Sequence, residues 1–172
     1  RAKESGRNQA KLYDQSMSAV TSEKFHLERL LRKAIEEEEL ELFFQPQINL
    51  TSARVTGCEA LVRWNHPEQG IVGPVEFIPL AEETGLIIPL GRWVLRKSLE
   101  LYSHWGQKGV KDLTVSVNVS SKQLSEEDFL ALVKDSLHEY NVPSEQLELE
   151  ITESAVMENP AQVIAVLQAV RE

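Results

Sequence analysis

The stretch GCEALVRWNHP (Gly57–Pro67) alternates polar and apolar side chains. Successive side chains leave opposite faces of an extended strand, so Glu59, Leu61 and Arg63 share one face while Cys58, Ala60, Val62 and Trp64 share the other. At about 3.3 Å per residue the Cα atoms of Glu59 and Arg63 stand about 13 Å apart, too far for an ion pair but suited to two ends of one charged ligand. Taken alone, the segment reads equally well as a half-exposed strand with solvated charges.

Two later segments repeat the pattern. In LTVSVNVSS (Leu113–Ser121), Val115, Val117 and Val119 oppose Ser116, Asn118 and Ser120; in QLELEITES (Gln146–Ser154), Leu147, Leu149 and Ile151 oppose Glu148, Glu150 and Thr152. Between and after these strands lie helical patterns. Arg92–Gln107 carries apolar residues at helical spacing and ends near Gly106 and Gly109. Ser125–Tyr140 opens on a serine cap with acids in the first turn, and Asn159-Pro160 starts another helix. Strands alternating with helices imply parallel pairing and right-handed crossovers, with the apolar strand face under the helices. The expected fold class is α/β, a (β/α)8 barrel whose interior turns polar toward the C-terminal mouth, where Glu59, Arg63, Asn118 and Glu150 come late in their strands.

Two carboxylates and a carboxamide are hard oxygen donors, suited to Mg²⁺ or Mn²⁺ rather than zinc. The four histidines and one cysteine show no paired metal spacing. Divalent cations activate water and neutralise phosphoryl oxygens, and an arginine offers a bidentate fork to phosphate, which points to metal-assisted phosphodiester chemistry. Other polar residues read as structural. His66 is expected in a loop as a packing residue, His104 and Trp105 as packing at a helix end, and Glu82 and Glu83 as surface or supporting groups in a short helix before Gly85. Cys58 reads as a small core residue, and Glu148 ranks below Glu150 because it comes earlier in its strand.

FFQPQINL (Phe43–Leu50), EALVRW (Glu59–Trp64), FIPLAEETGLI (Phe77–Ile87), SVNVSS (Ser116–Ser121) and LELEITES (Leu147–Ser154) together resemble an EAL domain, in the order that family has them. The resemblance implies a modified TIM-like barrel that hydrolyses cyclic di-GMP to the linear dinucleotide pGpG with two Mg²⁺ or Mn²⁺ ions. Carried over by position, Glu59, Asn118 and Glu150 resemble metal ligands, and Glu153 resembles a second catalytic acid beside Glu59 and Glu150. Gln45, Leu61, Arg63 and Pro79 resemble contacts to the nucleotide, with Arg63 on phosphate. Phe44 stands where the family commonly has tyrosine. A homodimer is a further expectation.

RAKESGRNQAKLYD, residues 1–14, resembles the closing helix and strand of a GGDEF domain, which implies a partner domain upstream and room for a sensory one. Residues 15–39 form a helix with Leu27, Leu30, Leu31, Ala34 and Ile35 on one stripe, read as an interdomain signalling linker or as an amphipathic helix packed on its own barrel. Residues 40–172 are read as the N-terminal half of the EAL domain, about four βα units with strands near 41–49, 54–64, 113–119 and 147–152, where a whole barrel has eight. The remainder would bring an aspartate pair and a lysine.

With 18 basic and 27 acidic residues the formal net charge is −9, which argues against binding DNA or RNA polymers and calls for local cations beside an anionic dinucleotide. The absence of a long apolar run points to a cytoplasmic segment, any tether to the inner membrane lying outside it. Two functions stay open, an active phosphodiesterase and a non-catalytic cyclic di-GMP receptor; an unrelated metal-dependent barrel enzyme is the remote third.

Overall fold

The computed structural model describes residues 15–37, 39–110, 113–151 and 160–171. The chain runs α1 (Gln15–Glu36), β1 (Leu40–Asn49), β2 (Arg54–His66), β3 (Gly70–Val72), α2 (Pro74–Thr84), α3 (Ile87–Gln107), β4 (Thr114–Val119), α4 (Ser121–Leu124), α5 (Phe129–Tyr140), a 3-10 turn at Ser144–Gln146, β5 (Leu147–Ile151) and α6 (Pro160–Arg171). The tail expected at residues 1–14 and the acid Glu153 lie outside the described residues.

The fold is α/β, with strand order β1-β2-β4-β5 and β3 paired to β2. β2, β4 and β5 are parallel, aligning Glu59 with Ser116 and Asn118 with Glu150. Helices occupy both crossovers, as parallel pairing requires. The expectation of parallel strands throughout fails at β1, which runs antiparallel to β2 and sets Gln45 opposite Glu59. The connection at residues 50–53 is too short for a crossover. Asn49 closes it as a hairpin, its Oδ1 accepting the backbone N–H groups of Thr51 and Ser52, both at 3.0 Å, before Ala53 turns with φ 54°. The parallel βα array therefore begins at β2, and the first two strands count as a hairpin.

Cys58, Ala60, Val62 and Trp64 of β2 and Val115, Val117 and Val119 of β4 are buried in a core completed by Phe77 of α2 and Leu90, Leu95 and Leu99 of α3. Each such large side chain contributes about 1.5–3 kcal/mol through burial. Trp64 is the hub, its ring meeting Phe77 edge-on at 5.9 Å and His66 at 4.7 Å. Tyr102 of α3 donates its hydroxyl to the Leu113 carbonyl (2.7 Å), fastening that helix to the approach to β4.

α1 buries Leu31 and Ala34 in the same core, with Leu27, Leu30 and Ile35 packed beside them. Its described C-terminal half is thus an amphipathic helix seated on its own domain. It stops at Glu36, where Lys33 bonds Glu37 and Glu39 at 3.1 and 3.2 Å. Acids oppose the dipole at a helix C-terminus and favour such a stop. The serine cap expected at Ser125 is displaced. Ser120 instead caps α4 in a reciprocal box with Gln123, and α5 starts after Asp128.

Candidate active site

On the sheet face opposite the core, polar side chains form two tiers. In the upper tier Asn118 donates through Nδ2 to Glu59 Oε1 at 2.7 Å, with Gln45 across the ladder from Glu59 and Glu150 beside Asn118. In the lower tier Gln47 Nε2 donates to Ser116 Oγ (3.2 Å), and the Ser116 hydroxyl points to Glu148 Oε2 at 3.4 Å. Gly57 makes this tier possible: a Cβ there would lie 2.6 Å from Gln47 Oε1 and 2.9 Å from the Thr114 carbonyl oxygen. A side chain there would displace the Gln47 amide and press on the Thr114 carbonyl of β4.

Arg63 lies on the same face, half-buried, with Nη1 donating to the Val62 carbonyl at 2.8 Å and Cζ 5.6 Å from the centre of the Phe43 ring. A cavity of about 410 Å³ opens between β2, β4 and the helices α2 and α3, walled in large part by core-side residues such as Ala60, Val62, Leu90 and Val94 and reaching Leu61, Pro79, Asn118 and Gln123. That volume falls in the range of small-molecule sites. The sequence-predicted residues thus divide into two groups. Leu61, Pro79 and Asn118 share the cavity wall, while Gln45, Glu59, Arg63 and Glu150 lie outside its lining on the open face.

Glu59 occupies the middle of β2 rather than its end, because β2 runs on to pair with β3 through Trp64, Asn65 and His66. Pro79 sits inside α2, a helix begun by Pro74 and closed by Gly85 at φ 80°. Glu83 pairs with Lys24 of α1, and the Glu82 carbonyl accepts from Lys122. Both contacts tie α2 to its neighbours.

The residues read as packing divide as well. His66 is buried, but as the last residue of β2 rather than in a loop; its Nδ1 accepts from the N–H groups of Glu68 and Gln69 at 3.2 and 3.3 Å. Trp105 packs edge-on against Phe44 at 4.6 Å, whereas His104 is exposed, because the last turn of α3 presents that side to solvent. Phe44 therefore belongs to the helix side of the sheet, and tyrosine replacement by phenylalanine there leaves the polar face untouched. Cys58 is buried, and burial pushes its thiol pKa up.

Gln47, Phe43 and Gln123 are contributors that sequence reasoning passed over. The Ser120-Ser-Lys-Gln123 spacing of a capping box was the available signal for Gln123.

Among the described residues no three His, Cys, Asp or Glu side chains gather as a metal cage. The side chains that meet are Glu59 and Asn118, joined through the amide Nδ2, with Glu150 next to Asn118 in the ladder; the two carboxylates and the amide Oδ1 are the hard oxygens they carry. This set fits a Mg²⁺-like ion, which takes one or two carboxylates and fills the rest of its shell from water and substrate phosphate.

The family model for the EAL domain matches residues 28–172. The chain is 39% identical over 167 residues to the cyclic di-GMP phosphodiesterase PdeR of Escherichia coli (strain K12), a match spanning 97% of this chain and 25% of that protein. It is 35% identical over 167 residues to the bifunctional diguanylate cyclase/cyclic di-GMP phosphodiesterase MucR of Pseudomonas aeruginosa, spanning 97% and 24%. The chain thus spans about a quarter of the length of these curated relatives. The solved PaMucR phosphodiesterase in complex with c-di-GMP is similar with a TM-score of 0.81 at 34% identity, over 85% of this chain and 59% of that one. The FimX EAL domain of Pseudomonas aeruginosa bound to c-di-GMP is similar with a TM-score of 0.75 at 26% identity, over 84% and 57%.

Proposed function

Because the chain belongs to the EAL domain family, we propose that it supplies part of the active site of an enzyme that hydrolyses cyclic di-GMP to pGpG. The observation that carries this reading is the Glu59–Asn118 contact with Glu150 adjoining, three oxygen-bearing side chains from three neighbouring parallel strands. Glu59, Asn118 and Glu150 are assigned to hold Mg²⁺ or Mn²⁺, two ions in the complete domain, with Glu153 as the further acid. When bound, such ions lower the pKa of water and neutralise phosphoryl oxygen.

The chain's own residues do the rest. Arg63 offers a planar fork to a phosphate, a geometry lysine does not reproduce. Leu61 and Pro79 supply apolar wall to the cavity, and Gln45 places an amide across from Glu59. In the wider protein, residues 1–14 close a GGDEF domain, the helix that follows links it to the EAL domain and packs its C-terminal half onto that domain's core, and the protein acts as a homodimer under a sensory domain.

Glu59→Ala in the complete protein is the test. Losing even an outer-shell partner of a metal ligand costs 10–100-fold, so losing a ligand should lower Mn²⁺-supported turnover by more than about a hundredfold. Cyclic di-GMP binding measured by calorimetry should survive. Near-normal turnover in the variant would remove the metal role, and a wild type that binds without turnover would identify a receptor.

A further inference from the structure

On β1 the even positions Leu40, Leu42 and Phe44 belong to the core side, and the odd positions Glu41, Gln45 and Gln47 are polar. Phe43 breaks the pattern. It is a large apolar ring left 43% exposed on the polar face, in the row of Leu61 and diagonal to Arg63. Diagonal neighbours in an antiparallel pair are within reach of long side chains, and the Arg63 guanidinium lies over the ring with Cζ 5.6 Å from its centre.

We propose that Phe43 is a positioning residue that holds the Arg63 guanidinium in place for a phosphate of the nucleotide; this rests on the function proposed above. Glu41, directly opposite Arg63 in the ladder, is the carboxylate that would ordinarily pair with it, yet Glu41 takes Asn65 Nδ2 at 3.5 Å. Among the described residues Arg63 has no carboxylate partner, and its one hydrogen bond goes from Nη1 to the Val62 carbonyl. A guanidinium has five N–H donors, so most of the fork stays uncommitted. The difference from an ion pair is electrostatic. A carboxylate would fix the side chain but cancel its charge, and a phosphate would have to displace it. An aromatic face restricts the side chain through its quadrupole while the full positive charge remains for the ligand. Holding a flexible arginine before the ligand arrives reduces the ordering cost of binding.

The experiment compares wild type, Phe43→Leu, Phe43→Tyr, Arg63→Ala and the Phe43→Leu/Arg63→Ala double variant of the complete protein. The readouts are cyclic di-GMP affinity by calorimetry in EDTA, and kcat and KM with Mn²⁺. Phe43→Leu should weaken affinity about two- to fivefold, the size of an exposed cation–π contact, and raise KM with little change in kcat. Phe43→Tyr should restore affinity, and in the Arg63→Ala background Phe43→Leu should cost nothing further. Wild-type affinity in Phe43→Leu, or an equal loss with and without Arg63, would overturn the positioning role, the latter by showing that the ring meets the ligand itself. A wild type that binds no cyclic di-GMP, or an Arg63→Ala variant that binds normally, would instead bring down the functional reading beneath it.

Discussion

Cys58 precedes Glu59 by one residue and faces the other way, into the core between β2 and the helices. With its pKa raised by burial, the thiol stays protonated at neutral pH, and thiolate rather than thiol is the reactive form. Iodoacetamide should label it slowly in the native protein and quickly in denaturant. Cys58→Ser should destabilise by about 1–3 kcal/mol, since the hydroxyl is buried without an assured partner, and Cys58→Ala by less; thermal melts check the order. Alternation along a single strand was enough to put Cys58 on one face and Glu59, Leu61 and Arg63 on the other, because side-chain direction in a strand has a fixed period. It could not say which of the adjacent Phe43 and Phe44 faces the core. That depends on the register with β2, Phe43 against Leu61 and Phe44 against Ala60, which arises only from pairing distant segments.

Elements were legible where their punctuation was local. Pro74 and Gly85 bracket α2, and the long apolar stripe of α3 marks that helix, although it starts at Ile87 rather than Arg92. The β1–β2 hairpin was missed because its turn lacks glycine and proline, leaving Asn49 as the sole signal. The split of α4 from α5 was missed because two serines, Ser120 and Ser125, both suit a cap. The capping box has a further consequence for packing. Buried Gln123, held by the N–H and hydroxyl of Ser120 at 3.1 Å, lies where a Gly91 Cβ would come within 1.8 Å of its Nε2. Gly91→Ala should therefore destabilise by about 1–3 kcal/mol through overpacking, and adding Gln123→Ala should recover part of the loss in a denaturant titration. A second joint between helices titrates. Arg92 of α3 bonds both carboxylate oxygens of Asp128, just before α5, at 2.7 Å and holds that carboxyl below its ordinary pKa. A depressed folded pKa stabilises above the unfolded value, and the contribution is lost as pH falls through the folded one. Wild type should therefore melt above Asp128→Asn at about pH 6, and the gap between the two curves should close as the pH falls below the ordinary carboxylate range.

Across the whole molecule, the sheet's polar face is where the candidate ligands and Arg63 gather, and the helices cover the other face. This division was legible from three strand patterns and the helices between them, since right-handed crossovers stay on one side when each new strand is added in the same direction, as β2, β4 and β5 are. The barrel's closure was not, because it depends on what pairs with the outer strands. Among the described residues β1 pairs only with β2 and β5 only with β4, which leaves two sheet edges. Exposed strand edges offer unpaired N–H and C=O groups to other chains, and closing a barrel removes them. Ile48 and Val55, opposite each other near the β1–β2 turn, add exposed apolar surface. Residues 1–172 expressed alone should thus self-associate through these edges. Glu59, Asn118 and Glu150 are too few protein ligands for the two ions proposed in the complete domain, so the isolated segment should also show no turnover of cyclic di-GMP with Mg²⁺ or Mn²⁺. Light scattering and a turnover assay on the same preparation test both statements. A monomer with full turnover would mean that these residues complete the site and protect the edges of β1 and β5 by themselves.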